Sequence, residues 1–124
     1  MGINTWNSLE TVNRAGRYLQ GSLFVDAFFP NSQDPTVNGF IAVYSKYYQV
    51  NPGTLEVQTH DAANILLKAL VKSNALNRSK LREAIIGLGK YSGISGDFFF
   101  SESGMKRSAY LLTIKGGAIT ELPT

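Results

Sequence analysis

The segment GSLFVDAFFP, residues 21–30, constrains the fold of this 124-residue chain more than any other. After the break at Gly21, Leu23-Phe24-Val25 is a short run of β-branched and aromatic residues, which is typical of a buried strand. Residues 26–30 then lead out of the strand through two aromatic side chains and a proline. An ordinary buried strand does not end in this way. The path of the chain after this strand therefore has to be inferred from the rest of the sequence.

Cap residues mark one helix on each side of that strand. Ser8 is placed as an N-cap, which predicts a short helix over about residues 9–18. Asp34 is able to accept hydrogen bonds from free amides, and Pro35 suits the first position of a helix. The apolar residues that follow at helical spacing predict an amphipathic helix to about Tyr48, and they are Val37, Phe40, Ile41, Tyr44 and Tyr48.

From about Val57 the sequence is again typical of a helix, and this helix is unusually apolar. Between residues 62 and 71 only Asn64 and Lys68 are polar. A helix with so few polar positions needs neighbours on most of its sides. The sequence therefore predicts that this helix lies at the centre of the core.

The last part of the chain changes from helix to strand. Residues 77–80 introduce another helix, with Ser79 as the expected cap and Gly87 and Gly89 at its end. The three segments after it are rich in strand-forming residues, and they are 96–100, 109–114 and 118–122. Gly116-Gly117 predicts a hairpin between the last two, since paired glycines accept the positive φ of a primed turn. Aromatic residues on both faces of Phe98-Phe99-Phe100 suggest a strand covered on both sides.

These elements predict an α/β fold in which residues 1–124 form a single unit, with about three helices packed on a β-sheet and a C-terminal β-hairpin. A hydrophobic content of 44% with 17% charged residues is typical of a globular protein. The net charge of +3 is spread along the chain, whereas nucleic-acid binding usually requires a concentrated basic patch. No nucleic-acid partner is therefore expected. The N-terminal sequence MGINTWNSLE has neither the basic nor the apolar region of an export signal.

The chemistry-bearing residues do not predict an enzyme. The chain has no cysteine, and His60 is its single histidine. Catalysis by His60 would require a nucleophile and an orienting partner, and its neighbour Asp61 does not face it on a helix. The carboxylates do not recur at a metal-ligand spacing. We therefore predict no catalytic residue, no metal site and no cofactor, and among Tyr44, Tyr47 and Tyr48 we expect only Tyr47 at the surface.

Several segments together resemble the C-terminal part of the type I periplasmic binding proteins, the branched-chain amino acid receptors of ABC transporters. Their order and spacing carry the resemblance, and they are Asn4-Thr5-Trp6-Asn7-Ser8, GSLFVDAFFP, Ser32-Gln33-Asp34-Pro35 with FIAVYSKYY, Gln58-Thr59-His60-Asp61-Ala62-Ala63, and residues 93–104. In that family two α/β lobes enclose a solute, and the chain crosses between them three times. The resemblance implies that this chain holds pieces of both lobes.

The resemblance also implies which residues lie near the hinge or the ligand. Phe28 and Phe29 would stand where a strand of one lobe runs into a crossing, and the turn at residues 101–104, with Glu102, would be the final hinge. The family commonly has tyrosine where this chain has His60, and His60 would line the cleft, form an interface or support the fold. Asp61 would either anchor backbone at the hinge or be a solvated acid at a helix start.

The resemblance implies a function in binding without chemistry. Hinge closure would enclose a small polar solute such as an amino acid and deliver it to the membrane permease of an ABC transporter, in the periplasm or another extracytoplasmic space. An alternative is a protein interaction module of an envelope lipoprotein or a multidomain protein, with no small-molecule ligand. Because a half-lobe leaves strands exposed, self-association is also expected.

Overall fold

The structure is a computed structural model that describes residues 1–74 and 77–123. The helices are α1 (Leu9–Ala15), α2 (Pro35–Tyr48), α3 (Thr54–Ser73) and α4 (Arg78–Ile86), and a 3₁₀ turn at Asn4–Trp6 precedes α1. The strands are β1 (Leu23–Asp26), β2 (Lys90–Gly93), β3 (Gly96–Ser101), β4 (Gly104–Arg107), β5 (Tyr110–Lys115) and β6 (Ala118–Glu121). No helix in the described ranges has both the length and the apolar character needed to span a membrane.

Short polar side chains start three of the helices. Ser8 accepts a hydrogen bond from the backbone amide of Thr11, and Asp34 accepts one from the amide of Thr36, as the sequence predicted for α1 and α2. The prediction for α4 was wrong by two residues. Its cap is Asn77, whose side chain accepts from the amide of Lys80, so Ser79 lies inside the helix. Asparagine is as good a cap as serine, and here it comes first in the chain.

The strands form two antiparallel sheets, where the sequence predicted one. Sheet A has the order β1-β5-β6, and sheet B has the order β2-β3-β4. The Gly116-Gly117 hairpin between β5 and β6 is confirmed, with φ angles of 61° and 78°. Strands β2 and β4 were not predicted, because each has four residues and neither has the apolar alternation of a half-buried strand.

The two sheets belong to two halves of the molecule. The sheet A half contains α1 and sheet A, from residues 1–26 and 110–122. The helical half contains α2, α3, α4 and sheet B, within residues 35–107. The chain passes from the first to the second along residues 27–34 and returns at 108–109. The fold is therefore α/β and matches the predicted class, but it is divided in two.

Each half has its own buried cluster. The cluster of the sheet A half consists of Val12, Phe24, Phe29, Leu112, Ile114 and Ile119. The cluster of the helical half consists of Phe28, Val37, Val57 and Ile94. Phe28 and Phe29 are adjacent in sequence but belong to different clusters. The unusual end of GSLFVDAFFP is thus explained, because the chain fixes one aromatic ring in each half as it crosses.

Helix α3 does not lie at the centre of a core, so this prediction was wrong. Its buried residues follow one narrow stripe at a spacing of four, and they are Val57, Asp61, Ile65 and Ala69. On the opposite side Leu67 is 58% exposed and Val71 is 86% exposed. The predictions that Tyr48 and Phe99 are buried were wrong for the same reason, since both side chains are exposed. An apolar sequence indicates that a helix would be stabilised by packing against other elements, but it does not show that such elements are present.

Candidate functional site

A buried carboxylate joins the two halves at the first crossing. Asp26, at the end of β1, accepts hydrogen bonds from Asn7 Nδ2 at 2.8 Å and from Thr54 Oγ1 at 2.7 Å. Its other oxygen accepts from the backbone amide of Ala27 at 2.6 Å, and Asn7 also donates to the carbonyl oxygen of Phe28. Asn7 belongs to the sheet A half and Thr54 is the first residue of α3. The network therefore fixes the start of α3 relative to β1.

A cavity of about 650 Å³ lies between the halves beside this network. The residues preceding and starting α1 and the β5–β6 turn line it from one side, and the α2–α3 loop, residues 50–53, lines it from the other. Phe28 lies in its wall. Asn7 lines it as well, and the side-chain oxygen Oδ1 of Asn7 is buried without a hydrogen-bond partner among the described residues. A buried acceptor without a donor is costly unless something fills the position.

Of the two aromatic residues predicted near the hinge, only Phe28 reaches this cavity. Phe29 is buried in the sheet A half, where its ring lies 6.0 Å from that of Tyr110. Both residues belong to the crossing segment, as the resemblance implied. The two rings have separate roles there, since Phe28 borders open space while Phe29 anchors the crossing.

Asp61 anchors backbone, but not at the crossing. It is fully buried in the interior of α3 and accepts from the amides of Ile94 and Ser95 at 2.9 Å and 2.7 Å. The hydroxyl of Ser95 donates to the same carboxylate at 2.5 Å. These contacts hold the turn between β2 and β3 against α3. The alternative of a solvated acid at a helix start is wrong, because α3 begins seven residues before Asp61.

Arg107 supports the same turn from the other side. Its guanidinium donates to the hydroxyl and the carbonyl oxygen of Ser95, and it lies 4.7 Å from the ring centroid of Phe98. Burial, followed by the negative charge of Asp61, raises the pKa of nearby Tyr91 above its ordinary value. The carboxylate, the turn and the guanidinium form one structural unit in the helical half.

His60 lies on a second concave surface, which we call the aromatic groove. The groove lies between α2 and the first half of α3, has a volume of about 800 Å³, and is lined by Phe40, Val43, Tyr44, Tyr47, Tyr48, Leu55, Glu56, Thr59 and His60. The His60 side chain is 43% exposed, with its Nδ1 3.6 Å from Asp61 Oδ1. Burial and then the charge of Glu56 raise the pKa of Tyr44 above its ordinary value.

Glu102 lies apart from both cavities. It stands in the turn between β3 and β4, where it is exposed and pairs with Arg82 at 3.2 Å. Ser101 and Gly104 are paired residues of one hairpin in sheet B, so this turn does not carry the chain back to the other half. The turn at residues 101–104 therefore lies within the helical half, and the chain returns to the sheet A half at residues 108–109.

Sequence reasoning missed the residues that form the network at the crossing. Asn7 lies within one of the segments that carried the resemblance, and Asp26 is the single acid in GSLFVDAFFP. An acid at the end of an apolar strand was the available signal, since a buried charge requires partners. No cluster of three or more possible metal-binding side chains occurs in the part of the chain that the structure describes.

Comparison with known proteins places this geometry in a family. The family model described as periplasmic binding protein matches residues 4–118. No curated protein matches the sequence. The structure of a leucine binding protein from Thermotoga maritima superposes with a TM-score of 0.77 at 24% identity, over 98% of this chain and 35% of that one.

Two further solved structures show the same fold. A branched-chain amino acid transporter substrate binding protein from Streptococcus pneumoniae, in complex with isoleucine, gives a TM-score of 0.76 at 19% identity, over 98% of this chain and 36% of that one. A solute binding protein from R. palustris, in complex with benzoate, gives 0.70 at 22% identity, over 90% of this chain and 31% of that one.

The chain spans about a third of the length of these structures. The family match extends over 4–118, which includes both halves and both crossings. The chain therefore belongs to the periplasmic binding protein family.

Proposed function

We propose that residues 1–124 correspond to the carboxyl-terminal part of a two-lobed solute-binding protein of an ABC transporter. The observation that carries this proposal is the cavity between the halves. The crossing segment places Phe28 in its wall, and beside it Asn7 Oδ1 has no donor among the described residues. Clefts that are bordered by two parts of a fold and contain a few unsatisfied polar groups are the usual place for a ligand.

The arrangement of polar groups favours a small polar solute such as an amino acid. Asn7 lines the cavity, and its buried Oδ1 would accept from an ammonium or hydroxyl group of the solute once a movement of the halves uncovers it. Gly53 lines the same cavity and is the N-cap of α3, a helix of 20 residues. The amide of Gly53 already donates to Glu56 Oε2, so it is the helix dipole at this terminus that favours a negative group. The cavity thus offers complementary positions for both ends of a zwitterion.

Hinge closure is the mechanism that this architecture supports. Two short segments, 27–34 and 108–109, connect the halves, and the hydrogen bonds of Asp26 link β1 to α3 at one of them. A movement between the halves would change the width of the cavity without disturbing either buried cluster. In this proposal the solute is bound without chemical change, outside the cytoplasm, and passed to a membrane permease.

An NMR titration of the 124-residue chain tests the proposal. Leucine and benzoate are each added to about 10 mM, so that binding with a dissociation constant in the millimolar range or tighter is detected. At least one of them is expected to shift the amide signals of Asn7, Gly53 and Ala118 together, because these residues border one cavity. Signals of α4 serve as the internal control. Unchanged signals at the cavity with both solutes, or shifts confined to other regions, would contradict the proposal.

A second candidate function is a protein interaction module with no small-molecule ligand. The observation that favours it is the outward face of α3, where Leu66, Leu67 and Val71 are all exposed. Several exposed apolar side chains close together on one helix are typical of protein interfaces. We propose self-association through this face as its simplest form. Light scattering over a concentration series tests it, since a Leu67→Glu variant is expected to shift a dimer to monomer, and a wild-type monomer at all concentrations would contradict it.

A further inference from the structure

Four rings form a continuous row along the aromatic groove. The centroid of His60 lies 4.8 Å from that of Phe40, Phe40 lies 5.9 Å from Tyr44, and Tyr44 lies 4.5 Å from Tyr48. Three of these residues come from successive turns of α2 and His60 comes from α3. The row therefore spans the junction of two helices and is fixed by both of them.

A carboxylate without an ionic partner lies in the same groove. Glu56 Oε2 accepts a hydrogen bond from the backbone amide of Gly53 at 2.8 Å, which fixes the position of the side chain. No salt bridge to Glu56 is present among the described residues, and the groove contains no lysine or arginine. The effect of Glu56 on the hydroxyl of Tyr44 indicates that the carboxylate and the rings share one environment.

Aromatic faces and an unpaired carboxylate together select a particular kind of ligand. The faces of aromatic rings attract cations, and the attraction is largest for weakly hydrated organic ammonium groups. A metal ion would require several oxygen ligands, and a neutral apolar molecule would gain nothing from the carboxylate. We propose that the aromatic groove binds an organic ammonium ion, with Glu56 supplying the opposite charge and the rings of Tyr44 and Tyr48 contacting the alkylated nitrogen.

This site is separate from the cavity between the halves. None of its lining residues is shared with that cavity, since the cavity involves the loop before α3 and the groove involves Leu55 and residues further along the helix. A failure of solute binding at the cavity would therefore leave the groove proposal intact, and the reverse also holds. Ring and amide signals in NMR distinguish the two sites directly.

A comparison of choline with its neutral isostere, 3,3-dimethylbutan-1-ol, tests the proposal on the 124-residue chain. The two molecules have nearly the same shape and differ in charge. Choline is expected to shift the ring signals of Phe40, Tyr44 and Tyr48, with an affinity about tenfold greater than that of the alcohol. Equal binding of both molecules would show a merely apolar groove. No detectable shift at choline concentrations up to about 10 mM would also overturn the proposal, because it would exclude even a millimolar dissociation constant.

Variants separate the role of charge from that of folding. Glu56→Gln keeps a side chain that is able to cap Gly53, because glutamine serves as well as glutamate at this position. It is expected to weaken choline binding several-fold, whereas Glu83→Gln, on α4 and also without a salt bridge among the described residues, should leave it unchanged. Equal affinity of the Glu56→Gln variant and the wild type would contradict the proposal. Concentration-dependent ring shifts in the absence of choline would also contradict it, because they would mean that a second copy occupies the groove.

Discussion

The two halves of the molecule differ in how completely they bury their apolar side chains. In the sheet A half, Leu112 and Ile114 of the central strand β5 are fully buried beneath α1, and a short helix with a three-stranded sheet closes the cluster. The helical half has more residues and longer helices, yet its contiguous cluster has four buried side chains among the described residues, and Leu67 and Val71 of α3 remain exposed. Chain length and apolar content therefore do not determine closure, and the arrangement of neighbours does.

Polar anchors compensate in the helical half for what its apolar cluster lacks. Asp61 and Arg107 hold the turn between β2 and β3, and Asp26 holds the start of α3. Hydrogen bonds to buried charges are stronger than neutral ones, but the charge is costly when a partner is lost. We expect the sheet A half to be sensitive to cavities and the helical half to be sensitive to loss of polar partners.

The largest expected effect comes from removing the same side chain in the two halves. Leu112→Ala leaves a cavity under β5 and should lower the free energy of unfolding by about 2–5 kcal/mol. Leu67→Ala removes an exposed side chain and should change it by less than about 0.5 kcal/mol. Urea denaturation of both variants measures the difference. A similar loss in both would mean that the outward face of α3 is covered in solution.

Asp61→Asn is expected to have the next largest effect. The amide nitrogen would face donors at Ile94 and Ser95, so at least one backbone amide would lose its partner in a buried position. The expected loss is about 2–3 kcal/mol, with a faster hydrogen exchange in β2 and β3 than in β5. If exchange accelerated equally in both sheets, the halves would unfold as one unit and the proposed difference between them would be wrong.

The starts of helices and the last hairpin were predictable from the sequence, whereas the burial of each apolar helix face by other elements was not. Ser8 and Asp34 identified the starts of α1 and α2, because a cap acts on amides two or three residues away. The glycine pair at 116–117 identified the last hairpin, because the positive φ angles of a primed turn are also a local requirement. The exposure of α3 depends on elements far away in the sequence, and no local pattern contains that information.

The candidate site shows the same limit. Phe28 and Phe29 were identified through the family resemblance of their segment. Their burial in opposite halves follows only from the paths of α1 and α3. Asn7 and Asp26 are 19 residues apart and Thr54 is 28 residues beyond Asp26. Their convergence is a property of the crossing, so pairwise spacing in the sequence did not reveal it.

Two glycine substitutions within the helical half test how tightly the Asp61 carboxylate is held. A methyl group on Gly93 would lie 2.5 Å from the carboxyl group of Asp61, so Gly93→Ala should cost about 1–3 kcal/mol by displacing that carboxylate. Gly39 lies within α2 with nothing within 4 Å of such a methyl group, and Gly39→Ala should stabilise by about 0.5–1 kcal/mol. Thermal unfolding of both variants measures these opposite signs. A neutral Gly93→Ala variant would show that Asp61 has freedom to move.

The smallest expected effect concerns an exposed anchor of sheet B. Hydrogen bonds from Lys90 and then Ser92 lower the pKa of Asp97 below its ordinary value of 3.8, and the charge of Lys90 acts in the same direction. Because the pKa is lower in the folded state, the contribution of Asp97 to stability is present above the unfolded pKa and is lost as the pH falls through the folded one.

In Lys90→Gln the pKa of Asp97 should rise toward its ordinary value, while in Lys80→Gln it should stay low. An NMR titration of the Asp97 carboxyl group measures both variants, and an unchanged pKa in Lys90→Gln would mean that Ser92 alone holds it. Salt should weaken the effect, as expected for a pair at the surface, whereas the buried contacts of Asp61 should be much less sensitive.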